Sequence, residues 1–447
     1  MLNGPATDTA PAGFPALRTA WWSAGAITIV FTIAFVHRIG LGLFVEPIKQ
    51  ALDLSDTQIG LLTGVCFAIP YTLGGLFCGW LADRTNRVRL LTASALVWSA
   101  ATASLGLMGS FLQMGLARVM TGVGQAAVQP VSGTLLADLF EPNARGRAYG
   151  LFVTGTAFGT AGAFLLGALS VKLGESIGAQ IGVPGWRVGL FLLGLMGLFA
   201  LLALVWVREP ARHERALGRP ATLAELRAFC VRHALVLSTL FVGVTLTFLA
   251  PYGQLAFMPA LFSRKYGWSA DELAFTYGLI AVLAGGGGSL FAGWLCDRWR
   301  RRGLRDGPWR LCLFGAVLSL IPAAAAPLAA SAWTALALYG VAGLFANWAS
   351  VGVLAAVAEL APNELRGQIN AGCTATVGLV AAGLGPVVVG VLTDRVFGSE
   401  AALDRSLAWT FGGCALLATL ALAAGWRSYR GAIASRGTQR VGVAALR

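Results

Sequence analysis

Apolar residues fall into long runs along this chain, neither alternating as in half-buried strands nor confined to one helical stripe. Twelve such runs lie near residues 21–46, 57–82, 88–108, 110–138, 145–174, 186–207, 233–262, 272–296, 308–328, 331–361, 366–393 and 406–426. Each is long enough for the roughly 20 residues a helix needs to cross a hydrocarbon core about 30 Å thick. The pattern predicts an all-α polytopic membrane protein of twelve transmembrane helices, in two six-helix bundles at 21–207 and 233–426. Residues 1–20 form a Pro- and Ala-rich tail without the layout of a signal peptide, 208–232 the one long internal linker, and 427–447 a basic tail.

Composition agrees: 57% of residues are hydrophobic and 12% charged, against about 25% charged in soluble domains. A net charge of +13 would point to nucleic acid in a soluble protein. Here the charges describe topology instead. If both termini share a side, 24 of the 33 Lys and Arg lie there and seven opposite. The positive-inside rule then puts both termini in the cytoplasm, expected of a bacterial inner membrane, with the basic residues anchored at the lipid surface and no nucleic-acid partner. Seven cysteines without CxxC spacing and three histidines without ligand spacing predict no metal site. No nucleophile triad or phosphate loop is present, so neither an enzyme nor a cofactor is expected.

Gly79-Trp80-Leu81-Ala82-Asp83-Arg84 recurs as Gly293-Trp294-Leu295-Cys296-Asp297-Arg298, 214 residues later. Asp138, Pro142, Asn143, Arg145 and Gly146 recur as Glu359, Pro362, Asn363, Arg366 and Gly367. The halves are therefore two copies of one six-helix unit, a construction common among secondary transporters. The Gly-x-x-x-Asp-Arg loop after the second helix of each half resembles the major facilitator superfamily over essentially the whole chain. Arg38, the Asp53-Leu-Ser-Asp-Thr-Gln-Ile-Gly60 segment, Trp98-Ser99, Arg118-x-x-x-Gly122-x-Gly124, Arg145-Gly-Arg147 and Gly383-x-Gly385-Pro386 resemble its Spinster-like branch. Individual elements also occur in organic anion:cation symporters of the superfamily.

The resemblance implies alternating access by a monomer in the lipid bilayer, with lysolipid-like anions as substrates in the Spinster-like branch. It also implies a cytoplasmic gate built from Asp83, Arg84, Arg87, Asp138, Asp297 and Arg298, and a sliding seam formed by helices 2, 5, 8 and 11, which are rich in glycine here. Two departures stand out: His37 and Gln125 occupy positions where that branch has Asp and Glu. An amide cannot titrate, which leaves His37 as the proton-coupling candidate. Anion exchange and uncoupled movement stay open beside it.

Arg38 and Arg118 are the two arginines within spans, each about 12 Å from the outer end by helical rise. An intramembrane arginine costs at least ~2.5–3.5 kcal/mol and is kept where it faces a cavity or a partner. No carboxylate shares their depth, so a bound anion is the expected partner; the alternative is that one of them bonds backbone carbonyls or Gln side chains. Arg118, Gly122, Gln125 and Gln129 share one helical face, expected to line the cavity. Tyr71, Tyr252, Gln254, Asn347 and Trp348 are the further candidates. The reading is a secondary transporter for an anionic, amphipathic organic solute or lysolipid. A symporter or antiporter of small carboxylates is the alternative, and a membrane receptor that binds without moving its ligand is the competing class.

Overall fold

The structure, a computed structural model, describes residues 14–82, 84–212 and 222–444. Its membrane helices are α1 (Leu17–Leu52), α2 (Asp56–Ala82), α3 (Arg87–Leu107), α4 (Phe111–Gln125 continued by Val128–Leu139), α5 (Ala148–Ile181), α6 (Gly185–Val205), α7 (Ala234–Tyr266), α8 (Glu272–Arg301), α9 (Gly307–Ala325), α10 (Ala332–Leu360), α11 (Leu365–Phe397) and α12 (Glu400–Ser435). Among the described residues, eleven of these are stretches long and apolar enough to cross a membrane. α4 is the twelfth, divided at Ala126–Ala127. Pro130 lacks the N–H that would bond the Ala126 carbonyl, and Ala126 N–H turns back to Val123 at 3.2 Å. α12 continues as helix to Ala444, beyond the expected end of the span at 426.

The apolar cores show how the halves meet. One core draws on both: Leu41, Phe44 and Leu62 pack with Phe257, Phe262, Leu336 and Phe411 at the end of the molecule far from the termini. At the terminus-bearing end, the cores belong to one half each, around Trp98 and Leu135 in the first and Trp309 and Tyr429 in the second. The halves are thus joined at the far end and apart at the other.

Far-end polar contacts reinforce the join. Ser55 and Gln58 form a capping box that starts α2 and presents Asp56, which is fully buried. Arg264 of α7 grips both Asp56 carboxylate oxygens at 2.9 and 3.0 Å and also reaches Glu46 at 2.7 Å. Lys49 bridges Asp56 at 2.8 Å to Glu400 of α12 at 2.7 Å. Asp394 of α11 accepts from the N–H and hydroxyl of Thr57, both at 2.6 Å. At the terminus-bearing end, the ion pairs found among the described residues each stay within one half: Arg87 with Asp138 and Glu209, Arg300 with Glu359, and Asp306 with Arg310 and Arg430.

Glycine does different work in the four helices expected to slide. In α2 and α11 several serve the join between halves: a Cβ on Gly60 would sit 2.5 Å from the Pro386 carbonyl oxygen, and one on Gly64 would collide with that of Gly383. Both helices depart from α geometry at this crossing. α2 breaks at Gly64 and α11 runs as π-helix over Val377–Ala382. In α5, Gly155, Gly159 and Gly162 instead face Phe31, Phe35 and Val36 of α1, and Gly288 of α8 faces Leu344 of α10. Those glycines pack each half internally.

Gly64→Ala is therefore expected to destabilise the protein by about 1–3 kcal/mol through overpacking, whereas Gly413→Ala, which meets nothing within 4 Å, leaves it unchanged or slightly more stable. Thermal unfolding in detergent distinguishes the two.

Candidate functional site

Between the halves lies a cavity of about 940 Å³, large enough for a drug-sized or lipid-like ligand. From the first half it is lined by α1, α2 and α5, and from the second by residues of all six helices. Its lining reaches Tyr149 and Gly150 of α5 and Leu290 of α8 toward the terminus-bearing end, while the far end is closed by the ion cluster around Asp56.

Arg38 is the one cation among the described lining residues, and no carboxylate or imidazole accompanies it. Aromatic faces hold it: the guanidinium carbon lies 4.7 Å from the Phe35 ring centroid, 4.8 Å from Phe67 and 4.3 Å from Tyr71. Such contacts contribute about 0.5–2 kcal/mol each and leave the charge itself uncompensated. Arg38 also donates to the Gln125 side-chain oxygen at a long 3.4 Å, and Gln125 in turn donates to the Ala34 carbonyl at 3.0 Å. Tyr71 is steadied by Gln129 at 3.2 Å. Tyr252 of the other half lines the same cavity.

Arg118 stands elsewhere. It is fully buried and outside the cavity lining, with Nε donating to the Leu62 carbonyl at 3.1 Å. Leu62 sits just before the break in α2 at Gly64, where the ladder that would occupy its carbonyl is interrupted. Arg118 thus caps the broken helix. The ring of Phe67 separates it from Arg38, lying 5.1 Å from the Arg118 guanidinium carbon.

The expectation that the polar face of α4 lines the cavity is corrected for the same reason. A Cβ on Gly122 would lie 2.5 Å from the Phe67 carbonyl oxygen, so α2 covers that face. Gln125 consequently supports Arg38 from behind and Tyr71 flanks it, whereas Tyr252, Gln254 and Asn347 line the cavity. Trp348 packs against Phe345 and Phe291. His37 neighbours Arg38 in sequence but is turned away by the helical rotation of α1. It is fully buried near Gly197 of α6.

Of the expected gate residues, Asp83 lies outside the described residues. Arg84 is exposed and rests on the Trp80 ring at 4.3 Å; Arg298 does the same on Trp294 at 5.4 Å; Asp297 is exposed. Arg87 bonds Asp138 at 2.5 Å and Glu209 at 2.6 Å. Sequence reasoning missed Glu209, the aromatic cradle of Phe35 and Phe67, and the far-end cluster. Phe35–Arg38 and Phe67–Tyr71 carry a signal at i, i+3 and i, i+4 spacing. Arg264 carries none, because its partners are about 200 residues away.

Two related six-helix bundles around one central cavity, sealed at a single end, define a secondary transporter. Residues 26–305 match the family model described as Major Facilitator Superfamily, and the chain belongs to that superfamily. It is 29% identical over 327 residues to an MFS-type efflux pump of Mycolicibacterium smegmatis, 71% of each chain. To Protein spinster of Drosophila melanogaster it is 24% identical over 355 residues, 75% of this chain and 56% of the fly protein. The crystal structure of a bacterial homologue of the human lysosomal transporter Spinster, in an inward-facing and unoccupied conformation, superposes with a TM-score of 0.79 at 22% identity, covering 93% of this chain and 98% of that one. The fold and these relatives are those of transporters rather than enzymes.

Breaking a buried ion pair by removing one partner costs about 3–5 kcal/mol. Arg264→Gln should therefore loosen the far end, seen as faster modification of a Thr57→Cys reporter by a bulky hydrophilic maleimide than in the Arg264 background. An unchanged rate would mean that the apolar core alone holds the closure.

Proposed function

We propose that this transporter moves an anionic, amphipathic organic solute, with lysolipids as the class that fits, by alternating access. The observation that carries the reading is Arg38: a cation in a largely apolar cavity, held by aromatic rings and an amide, with no carboxylate to neutralise it. A phosphate or carboxylate head supplies that charge, and Tyr252 of the second half lines the same cavity. The chain of the ligand then lies along Leu246, Leu255, Ala281 and Phe411.

With the termini on the cytoplasmic side, as the distribution of Lys and Arg supports, the cavity opens inward and the Asp56–Arg264 cluster closes the outer face. Arg87, Asp138 and their counterparts in the second half are then the gate that engages when the molecule turns outward. The buried position of His37 and the lack of a titratable acid on the described cavity wall favour exchange or facilitated movement, with the substrate's own charge as the element that completes Arg38.

Flux of a radiolabelled lysophosphatidate in proteoliposomes tests this. Unlabelled anion on the opposite side should stimulate it, a pH gradient alone should not, and Arg38→Gln should lower it about 10- to 100-fold, the scale of one charge-assisted hydrogen bond. Flux driven by a pH gradient in the wild type and lost in His37→Ala would establish the His37 route instead. Binding without flux would make the protein a receptor.

A further inference from the structure

The cavity does not stop at Arg38. It extends into the second half to Ser319 of α9, Tyr339 of α10 and Phe411 and Ala415 of α12. This recess carries no charged side chain among the described residues, yet its wall holds two phenols. Gln254 donates its amide to the Tyr277 oxygen at 3.1 Å, so Tyr277 is an acceptor there and keeps its own O–H to give. The Tyr339 hydroxyl, on a residue only 3% exposed, has no hydrogen-bond partner. It shares the lining of the recess with Tyr277. The next phenol toward the far end, Tyr266, is engaged with the Ala329 carbonyl at 2.8 Å. Rings keep the site dry and fixed: Phe164 from the opposite half stands edge-on to Tyr277 at 4.8 Å, and Phe411 to Tyr339 at 6.2 Å.

Two O–H donors without an acceptor in an apolar wall form an unmatched set, and a buried polar group left unpaired is unfavourable. One carbonyl oxygen, with two lone pairs, matches both. We propose that Tyr277 and Tyr339 form a second, uncharged subsite that receives an ester or amide carbonyl of the ligand. The anionic head stays at Arg38 in the first half. This rests on the anionic-amphiphile reading above and narrows it from any amphipathic anion to an acylated one.

Binding of a matched pair of probes to the purified full chain tests the subsite: 1-lauroyl lysophosphatidate, with an ester carbonyl, and its 1-O-dodecyl ether analogue, which differs by that carbonyl alone. The wild type should prefer the ester. Tyr339→Phe and Tyr277→Phe should each weaken the ester about five- to tenfold and the ether less than twofold. Arg38→Gln should weaken both probes alike. Because the Tyr339 hydroxyl has no partner within the protein, Tyr339→Phe without ligand should unfold at the wild-type temperature or above.

A lower unfolding temperature would show that the hydroxyl serves the fold and would overturn the subsite, as would equal effects of the Phe variants on ester and ether. Loss of the ester preference in the Phe variants, with Arg38→Gln leaving both affinities intact, would support the subsite and remove Arg38 as the anion site. Failure of both probes to bind the wild type would overturn the amphiphile reading and this proposal with it.

Discussion

The grip of Arg264 on both oxygens of Asp56 ties the two halves of this molecule together, and most of its shape follows from that contact. Asp56 is fully buried, so its charge must be matched; Lys49 and Arg264 do so from opposite halves. Together with the shared apolar core beneath, this cluster closes one end. At the other end, the ion pairs found among the described residues and the cores stay within their own bundles, and the bundles diverge. A cavity open at one end is the geometric result, and its wall is left to whatever the inner faces of the helices present.

What they present is asymmetric. The first half contributes a cation on an aromatic cradle; the second contributes phenols, amides and hydroxyls but no charge among the described residues. Low dielectric makes that arrangement selective. An unpaired cation in an apolar wall attracts an anion strongly and rejects a second cation. Arg118, equally buried, is a different kind of arginine. Its contact with the Leu62 carbonyl stabilises the break at Gly64, and that break lets α2 pass against α11 with glycine facing carbonyl. One arginine therefore faces the cavity and the other holds the backbone beside it.

The fold was legible because membrane helices must satisfy their backbones internally and so leave long apolar runs. The duplicated Gly-x-x-x-Asp-Arg loop then gave the two halves. α4 shows the limit of the run as a signal: its apolar stretch is continuous, but Pro130 and the pair Ala126–Ala127 divide it. The site was legible in depth and not in direction. Counting residues along a helix locates Arg38 and Arg118 at one level, but whether a side chain meets the cavity or a neighbouring helix depends on azimuth, set by close approaches such as Gly122 against Phe67. The same is true of His37, one residue from Arg38 and on another face. Glycine counts marked four mobile helices, and α5 and α8 use several of theirs within a half, although Gly278 of α8 faces Ala161 of α5 across the seam. In the far-end cluster Asp56 and Thr57 lie in a readable segment, but their partners Arg264 and Asp394 lie about 200 and 340 positions away, with no local pattern to link them.

Because all of this converges on the charge of Arg38, locating a ligand directly is the decisive measurement. A structure of the full chain with an ω-bromo lysophosphatidate, phased on bromine, gives head and tail positions at once. The phosphate should lie at about 2.7–2.9 Å from the Arg38 guanidinium and the bromine in the second-half recess near Ser319 and Phe411. A phosphate held at the terminus-bearing arginines with Arg38 still resting on Phe35 and Tyr71 would contradict it.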